Sequence, residues 1–263
     1  MTSLAAAVAG LAPITLDELN ARAALLRRTD RKYILTEEQF LTLLSTLQDD
    51  VRVLEIAGER NPRYESLYFD TPGRESFRAA AHKRRRRFKV RTRSYVETEE
   101  TYLEVKLRDA RRRTVKLRLP YAFADRDVLD DDGRAFIRDV FVGHGLDPAL
   151  VDRLAPSLHT RFRRTTLFIP SAACRVTVDT ELQFEQATVA TVVADHLLLL
   201  ETKSDAQNPR VDRLLWRMGI RPAKVSKFAI GSALLDPTLP DNKWARTITR
   251  HFASVSPEGV PHP

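Results

Sequence analysis

The stretch Phe88-Lys89-Val90-Arg91-Thr92-Arg93 carries a basic side chain at every second residue. Charged and uncharged residues alternate again in Leu103-Glu104-Val105-Lys106-Leu107-Arg108 and in Val115-Lys116-Leu117-Arg118-Leu119. A period of two is that of a β-strand, whose successive side chains point to opposite faces. Strands with one solvated face also alternate, but such faces normally mix signs. Here Lys89, Arg91, Arg93, Lys116 and Arg118 share one sign, relieved by Glu104. Like charges on neighbouring strands repel unless an anion sits between them. The pattern calls for a sheet that lines a water-filled barrel, with charges inward, apolar residues packed outward against helices, and a polyanion as guest.

Composition sets the outer bounds. A chain of 263 residues buries a sizeable core, and no Pro/Gly/Ser-rich linker divides it, so one domain with terminal extensions is the economical count. A formal charge of +8 favours an anionic partner without selecting among nucleic acid, anionic lipid and phosphate compounds. The one cysteine, Cys174, has no internal disulfide partner. The start at Leu4-Ala5-Ala6-Ala7-Val8 lacks a basic n-region, and no apolar run approaches the roughly 20 residues that span a bilayer. The expectation is a reduced, cytoplasmic, soluble protein.

Leu16, Leu19, Ala23 and Leu26 recur at helical spacing and end in Arg27-Arg28, an accessory segment. A strand is expected at 31–35. Thr36 with Gln39 three residues on is a capping box, opening a helix that buries Phe40, Leu43, Leu44 and Leu47. Strands at 51–56 and 64–69 lead to the turn Asp70-Thr71-Pro72-Gly73 and a short helix from Phe77 to Ala81. After the three charged strands, the region from Arg126 to Leu154 reads as helical, with Phe136, Ile137, Val140 and Phe141 at amphipathic spacing. Strands follow at 163–169, 174–181 and through Leu197–Lys203. A helix from Val211 to Met218 stops at Gly219, and a proline-punctuated tail begins after Asp236. About eight or nine strands with antiparallel connections give an α+β fold built on a closed antiparallel barrel, wide enough at about eight strands for one small ligand.

Neither a Gly-x-x-x-x-Gly-Lys-Ser/Thr loop nor a Gly-x-Gly-x-x-Gly is present, so phosphate contacts must come from side chains. His82, His144, His159 and His196 lack metal-ligand spacing, and Cys174 among apolar strand neighbours reads as an inert buried thiol. The run Lys83-Arg84-Arg85-Arg86-Arg87 reads either as a solvated loop or as a nucleic-acid or localisation patch; nucleic acid is the weakest partner reading, because only Arg84 to Arg87 supports it and no aromatics interleave there. What remains is carboxylates among cations. Glu104-Val105-Lys106 and Glu201-Thr202-Lys203 each put a glutamate and a lysine on one strand face. Mg²⁺ or Mn²⁺ suits such a site, taking one or two carboxylates and leaving other positions to phosphate and water.

These residues, in order, resemble a known family. The elements are Arg31-Lys32-Tyr33, Tyr68-Phe69-Asp70-Thr71-Pro72, Arg91-x-Arg93, Leu103-Glu104-Val105-Lys106 and Val115-Lys116-Leu117-Arg118. They continue with Phe162-Arg163-Arg164-Thr165, Arg175-Val176-Thr177-Val178-Asp179-Thr180, Leu200-Glu201-Thr202-Lys203 and Lys224-Val225-Ser226-Lys227-Phe228. The set is similar to the VTC (vacuolar transporter chaperone) polyphosphate polymerase domain, a branch of the triphosphate tunnel metalloenzymes related to CYTH domains.

The resemblance implies an eight-stranded antiparallel tunnel with flanking helices over residues 27–235, after an accessory helix at 1–26 and before a tail at 236–263. It implies phosphate contacts from Lys32, Arg91, Arg93, Lys106, Lys116, Arg118, Arg164, Arg175, Lys203, Lys224 and Lys227. Of these, Arg91, Arg93, Lys106 and Arg164 would be catalytic. A divalent metal would sit on Glu201, with Glu104 or Glu181 assisting. The strict Glu-x-Glu-x-Lys of the wider tunnel pattern is absent, Thr29 preceding Arg31 and Lys32 near the start. The implied activity is transfer of the ATP γ-phosphoryl to a phosphate or polyphosphate chain; a hydrolase or a non-catalytic sensor would use the same cations.

Overall fold

The computed structural model describes residues 3–22, 29–47, 49–108, 114–186, 190–204, 209–253 and 255. In chain order these form α1 (Ser3–Ala9), β1 (Ala12–Ile14), α2 (Leu16–Arg22), β2 (Thr29–Leu35), α3 (Glu37–Leu47), β3 (Arg52–Leu54) and β4 (Arg63–Asp70). There follow α4 (Glu75–Ala81), β5 (Arg87–Tyr95), β6 (Glu100–Arg108), β7 (Thr114–Tyr121), α5 (Asp131–Gly143), β8 (Ala155–Ile169) and β9 (Cys174–Gln186). The remainder is β10 (Ala190–Ala194), β11 (Leu198–Ser204), α6 (Arg210–Arg217), α7 (Lys227–Leu235) and α8 (Ala245–His251). The fold is α+β with a large, mainly antiparallel sheet; the pair β1 and β3 is parallel.

The main strand order is β2-β11-β9-β8-β4-β5-β6-β7, and among the described residues no pairing joins β2 to β7. The sheet is thus open, which corrects the closed eight-stranded barrel expected from the sequence. The reason lies in β7. No position in it is buried, it exposes Lys116 and Arg118, and its Pro120 has no N–H to offer a further strand. Charge and proline are the usual means of blunting a sheet edge.

The chain divides into two compact units. The first comprises Met1–Arg63, Phe162–Leu182 and Ala194–Val225. In it β2, β11 and the first part of β9 lie side by side, with Glu201 opposite Lys32 and Thr177. Period-two alternation gives these strands an apolar back of Tyr33, Leu35, Val176, Val178, Leu198 and Leu200, which packs beneath α3 and α6 through Phe40, Leu43, Leu44, Leu47, Val211 and Leu215. Thr36 caps α3 as expected: its Oγ1 accepts from Gln39 N at 3.3 Å while Gln39 Oε1 accepts from Thr36 N at 3.0 Å. Gly219 closes α6 at φ 77, with Ile220 N donating to Leu215 O at 2.9 Å.

The second unit comprises Tyr64–Arg161, Gln183–Val193 and Ser226–Pro263. Here the apolar back of β4 to β6, with Phe69, Phe88, Val90, Leu103, Val105 and Leu107, packs against Ile137, Val140 and Phe141 of α5. Asp70, the buried last residue of β4, accepts from Ser76 N and Phe77 N and so fixes the start of α4. The helical region expected from 126 to 154 is shorter, α5 followed by a 3₁₀ turn over Pro148–Arg153. The tail beyond Asp236 is not loose throughout: it carries α8, flanked by buried Trp244 and Phe252. Ala23, Leu26, Arg27 and Arg28, part of the expected accessory helix, lie outside the described residues.

A buried polar knot ties α6 to the strands beneath it. Asp212, fully buried, accepts from Tyr33 OH at 2.6 Å, Thr202 Oγ1 at 2.9 Å and Arg31 Nη1 at 3.0 Å. Trp216 Nε1 donates to the same Tyr33 hydroxyl at 3.1 Å. Burial, then the Asp212 carboxylate, pushes the Tyr33 phenol well above its ordinary range. Removing one member of a buried ion pair strands its partner, so Asp212→Ala should destabilise the protein by about 3 kcal/mol in denaturant unfolding. A loss below about 1 kcal/mol would mean the knot is a surface-like ion pair.

Candidate functional site

Each unit carries one cluster of cations around a carboxylate, on the sheet face opposite its apolar core. In the second unit the register places Arg91 between Tyr68 and Glu104, Glu104 opposite Arg118, and Lys106 between Lys89 and Lys116. Three lysines abreast is a costly arrangement unless an anion covers them. Glu104 is 3% exposed. Its Oε2 accepts from Arg91 Nε at 2.8 Å and Nη2 at 2.6 Å, and its Oε1 pairs with Lys116 Nζ. Arg91 Nη1 donates to Tyr68 OH at 2.9 Å. Burial would raise the Glu104 carboxyl, but Arg91, Arg93 and Lys116 overcome it and hold it at about 2.

Aromatic rings floor this face. Arg91 lies 5.6 Å from the Tyr68 ring, Arg93 5.9 Å from Tyr64 and Arg118 4.7 Å from Tyr102. Lys89 Nζ donates to Ser226 Oγ at 2.8 Å and lies 5.3 Å from the ring of Phe228, which itself packs 4.9 Å from Tyr68. Ser226 also caps α7, accepting from Ala229 N, and Lys227 is that helix's first residue.

In the first unit Glu201 holds the corresponding place. Lys203 Nζ lies 3.3 Å from its Oε1, and Lys32 Nζ lies 4.0 Å from its Oε2. Burial again acts to raise the carboxyl, and Lys32, Lys203 and Arg164 bring it down to about 2. Burial presses Lys203 down to about 8, against the pull of Glu201. Arg164 makes a two-point pair with buried Asp179, Nε to Oδ1 at 2.5 Å and Nη2 to Oδ2 at 2.8 Å. Arg175 stands opposite Lys203 and donates from Nη2 to Asn20 Oδ1 at 3.3 Å.

The candidates from the sequence therefore fall in two groups. Lys32, Arg164, Arg175, Glu201 and Lys203 share the first unit, together with exposed Lys224. Arg91, Arg93, Glu104, Lys106, Lys116, Arg118 and Lys227 share the second. Glu181 stands apart from the Glu201 pairs: its side chain is 43% exposed, its φ is 52, and it accepts from Arg163 Nε at 3.2 Å. Cys174 is buried, and burial pushes its thiol up to about 12, in keeping with an inert residue. Three participants have no site role among the residues the resemblance implies, although their strand faces are legible. Lys89 obeys the same period-two rule as Arg91, Tyr68 sits on the alternation Tyr64-Ser66-Tyr68, and Asp179 alternates with Thr177 and Arg175 on β9.

The carboxylates differ in what they can hold. Both oxygens of Glu104 are engaged by cations, so it is a brace for arginine and lysine. Glu201 is freer, with Lys32 4.0 Å from Oε2, beyond hydrogen-bond length. A magnesium-sized ion beside phosphates needs one or two carboxylates, a demand Glu201 fits. Among the described residues no three or more His, Cys, Asp or Glu side chains form a metal cage on their own.

The VTC domain family matches residues 27–236, and the chain belongs to that family. Among solved structures, the putative adenylyl cyclase HpAC1 from Hippeastrum, described as having a dominant triphosphatase activity, matches 79% of this chain and 96% of its own at 14% identity, TM-score 0.52. The PH1819 protein from Pyrococcus horikoshii matches 78% of this chain and 97% of its own at 11% identity, TM-score 0.42. The first likeness shows a shared fold. No curated protein matches.

Glu104 supplies a stability test with a defined pH window. Its carboxyl is depressed from 4.5 to about 2, so its contribution is complete above 4.5 and disappears as pH falls through 2. Glu104→Gln should lower unfolding free energy at neutral pH by about 3 kcal/mol, and the gap to wild type should close on acidification. A constant gap across that window would mean that packing, not charge, sets the effect.

Proposed function

We propose that the protein is a polyphosphate polymerase-like phosphotransferase, acting on ATP and a phosphate or polyphosphate acceptor. The observation that carries this reading is the set of same-sign cations in cross-strand register, Lys89, Lys106 and Lys116 above all, on strands of a VTC-family chain. Such a face is suited to a slender anion of high charge density. Phosphoryl transfer asks a protein for alignment and charge stabilisation more than for covalent help.

By the family resemblance, the cations proposed as catalytic are Arg91, Arg93 and Lys106 in the second unit and Arg164 in the first. Lys32, Lys116, Arg118, Arg175, Lys203, Lys224 and Lys227 hold the rest of the phosphate chain. An oxygen of the acceptor's terminal phosphate attacks the γ-phosphorus, the bond from that phosphorus to the β-bridging oxygen breaks, and ADP leaves as the acceptor lengthens by one unit. Arginine and lysine neutralise the charge that gathers on the transferred group, and charge-assisted contacts to phosphate are individually strong. Glu201 would hold one divalent ion, Mg²⁺ or Mn²⁺, which when bound would neutralise phosphate charge. The reading carries a cytoplasmic location with it; among the described residues no helix is long and apolar enough to cross a membrane.

HpAC1's triphosphatase activity favours one second reading, in which water replaces the phosphate acceptor. The products separate the two. With ATP, Mn²⁺ and a short polyphosphate primer, the protein should yield ADP and a ladder of polyphosphate, and Glu201→Ala should abolish turnover while tripolyphosphate still binds. Orthophosphate rising in step with ADP, without any ladder, would overturn the polymerase in favour of the hydrolase. Undiminished Mn²⁺-dependent turnover in Glu201→Ala would remove Glu201 from the metal role.

A further inference from the structure

The basic run after α4 is built into the fold more firmly than a solvated loop requires. Lys83 N donates to Ala80 O at 3.4 Å and Arg84 N to Ala79 O at 2.9 Å, the paired bonds that close a helix with a left-handed residue. That residue is Lys83, at φ 54. Glycine is the ordinary occupant, because a side chain there is sterically penalised. The segment is then pinned twice, by Arg86 Nη1 to Gly145 O at 3.0 Å and by Arg87 Nη1 to Arg84 O at 2.9 Å.

From this turn the chain enters β5 directly. Residues 82–86 are exposed, and no acid occurs between His82 and Lys89. Arg87 stands opposite Arg108, and Lys89 opposite Lys106, on the same strand face as Arg91 and Glu104. Arg91 lies four residue steps beyond Arg87, about 13 Å of extended strand. Basic residues thus continue without a change of sign from the Glu104 cluster to the exposed turn. Phe88, the only aromatic in the run, is buried, so no ring is offered for base stacking.

We propose that Lys83–Arg87 with Arg108 forms a track on which a long inorganic polyphosphate lies as it extends beyond the Glu104 cluster. The proposal rests on the reading that the charged face takes phosphate chains. It adds a second, outer binding segment that a short phosphate does not reach. Lys83, although left-handed, adds a cation to the exposed end of the track.

The test is binding without turnover, using long-chain polyphosphate and tripolyphosphate as probes. The triple variant Lys83→Gly, Arg84→Gln, Arg85→Gln should bind long-chain polyphosphate about tenfold more weakly, with a shallower salt dependence, and tripolyphosphate within about twofold of wild type. Lys83→Gly alone should raise the thermal midpoint, since glycine accepts the left-handed turn without strain. Unchanged affinity for the long chain, an equal loss for both probes, or a lowered midpoint in Lys83→Gly would each overturn the track. Single-stranded nucleic acid binding as tightly as long-chain polyphosphate would overturn it in favour of a general polyanion patch. A wild-type protein that fails to make polymer from ATP would sink the polymerase reading while leaving these binding results standing.

Discussion

Three carboxylates hold apart cations that would otherwise repel one another on the sheet. Glu104 braces Arg91 and Lys116, Asp179 braces Arg164, and Glu201 lies between Lys32 and Lys203. Glu104 and Asp179 are buried, and an uncompensated charge in such a place is expensive. The acids are fewer than the cations around them, so each charged face keeps a positive excess. The fold tolerates that excess because the back of the same strands is apolar and packs under helices. A slip of one residue would turn every lysine and arginine into the core, which fixes the register.

This division of labour between faces explains why so much of the fold could be read from the sequence. Period two announced β5, β6, β7 and β9, and the capping box announced α3, because each signal is local. Closure was not legible. Whether β7 meets another strand depends on the edge itself, where exposed Lys116 and Arg118 and the missing N–H of Pro120 leave it unpaired with β2 among the described residues. The helical region between Arg126 and Leu154 is shorter than its periodicity suggests, because Gly145 at φ 68 closes α5, with Leu146 N donating to Phe141 O at 2.9 Å, and Asp147 then caps a separate 3₁₀ turn.

The candidate residues differ in what their side chains meet. Glu104 and Glu201 both precede a lysine by two positions, yet only the structure distinguishes a brace with both oxygens engaged from a carboxylate with one oxygen beyond hydrogen-bond reach of lysine. Asp179 and Tyr68 needed the fold to become visible, because their roles depend on Arg164 and Arg91 on other strands. Lys89 was readable from its spacing alone.

The central claim is that the charged faces are completed by a polyphosphate. Thermal unfolding of the wild-type protein with and without tripolyphosphate, at matched ionic strength in chloride, tests it most directly. A ligand at about a hundred times its dissociation constant stabilises the native state by about 2.7 kcal/mol, a shift of several degrees in the midpoint. The account predicts such a shift, larger for tripolyphosphate than for orthophosphate. A midpoint that moves no further than in chloride of equal ionic strength would contradict it.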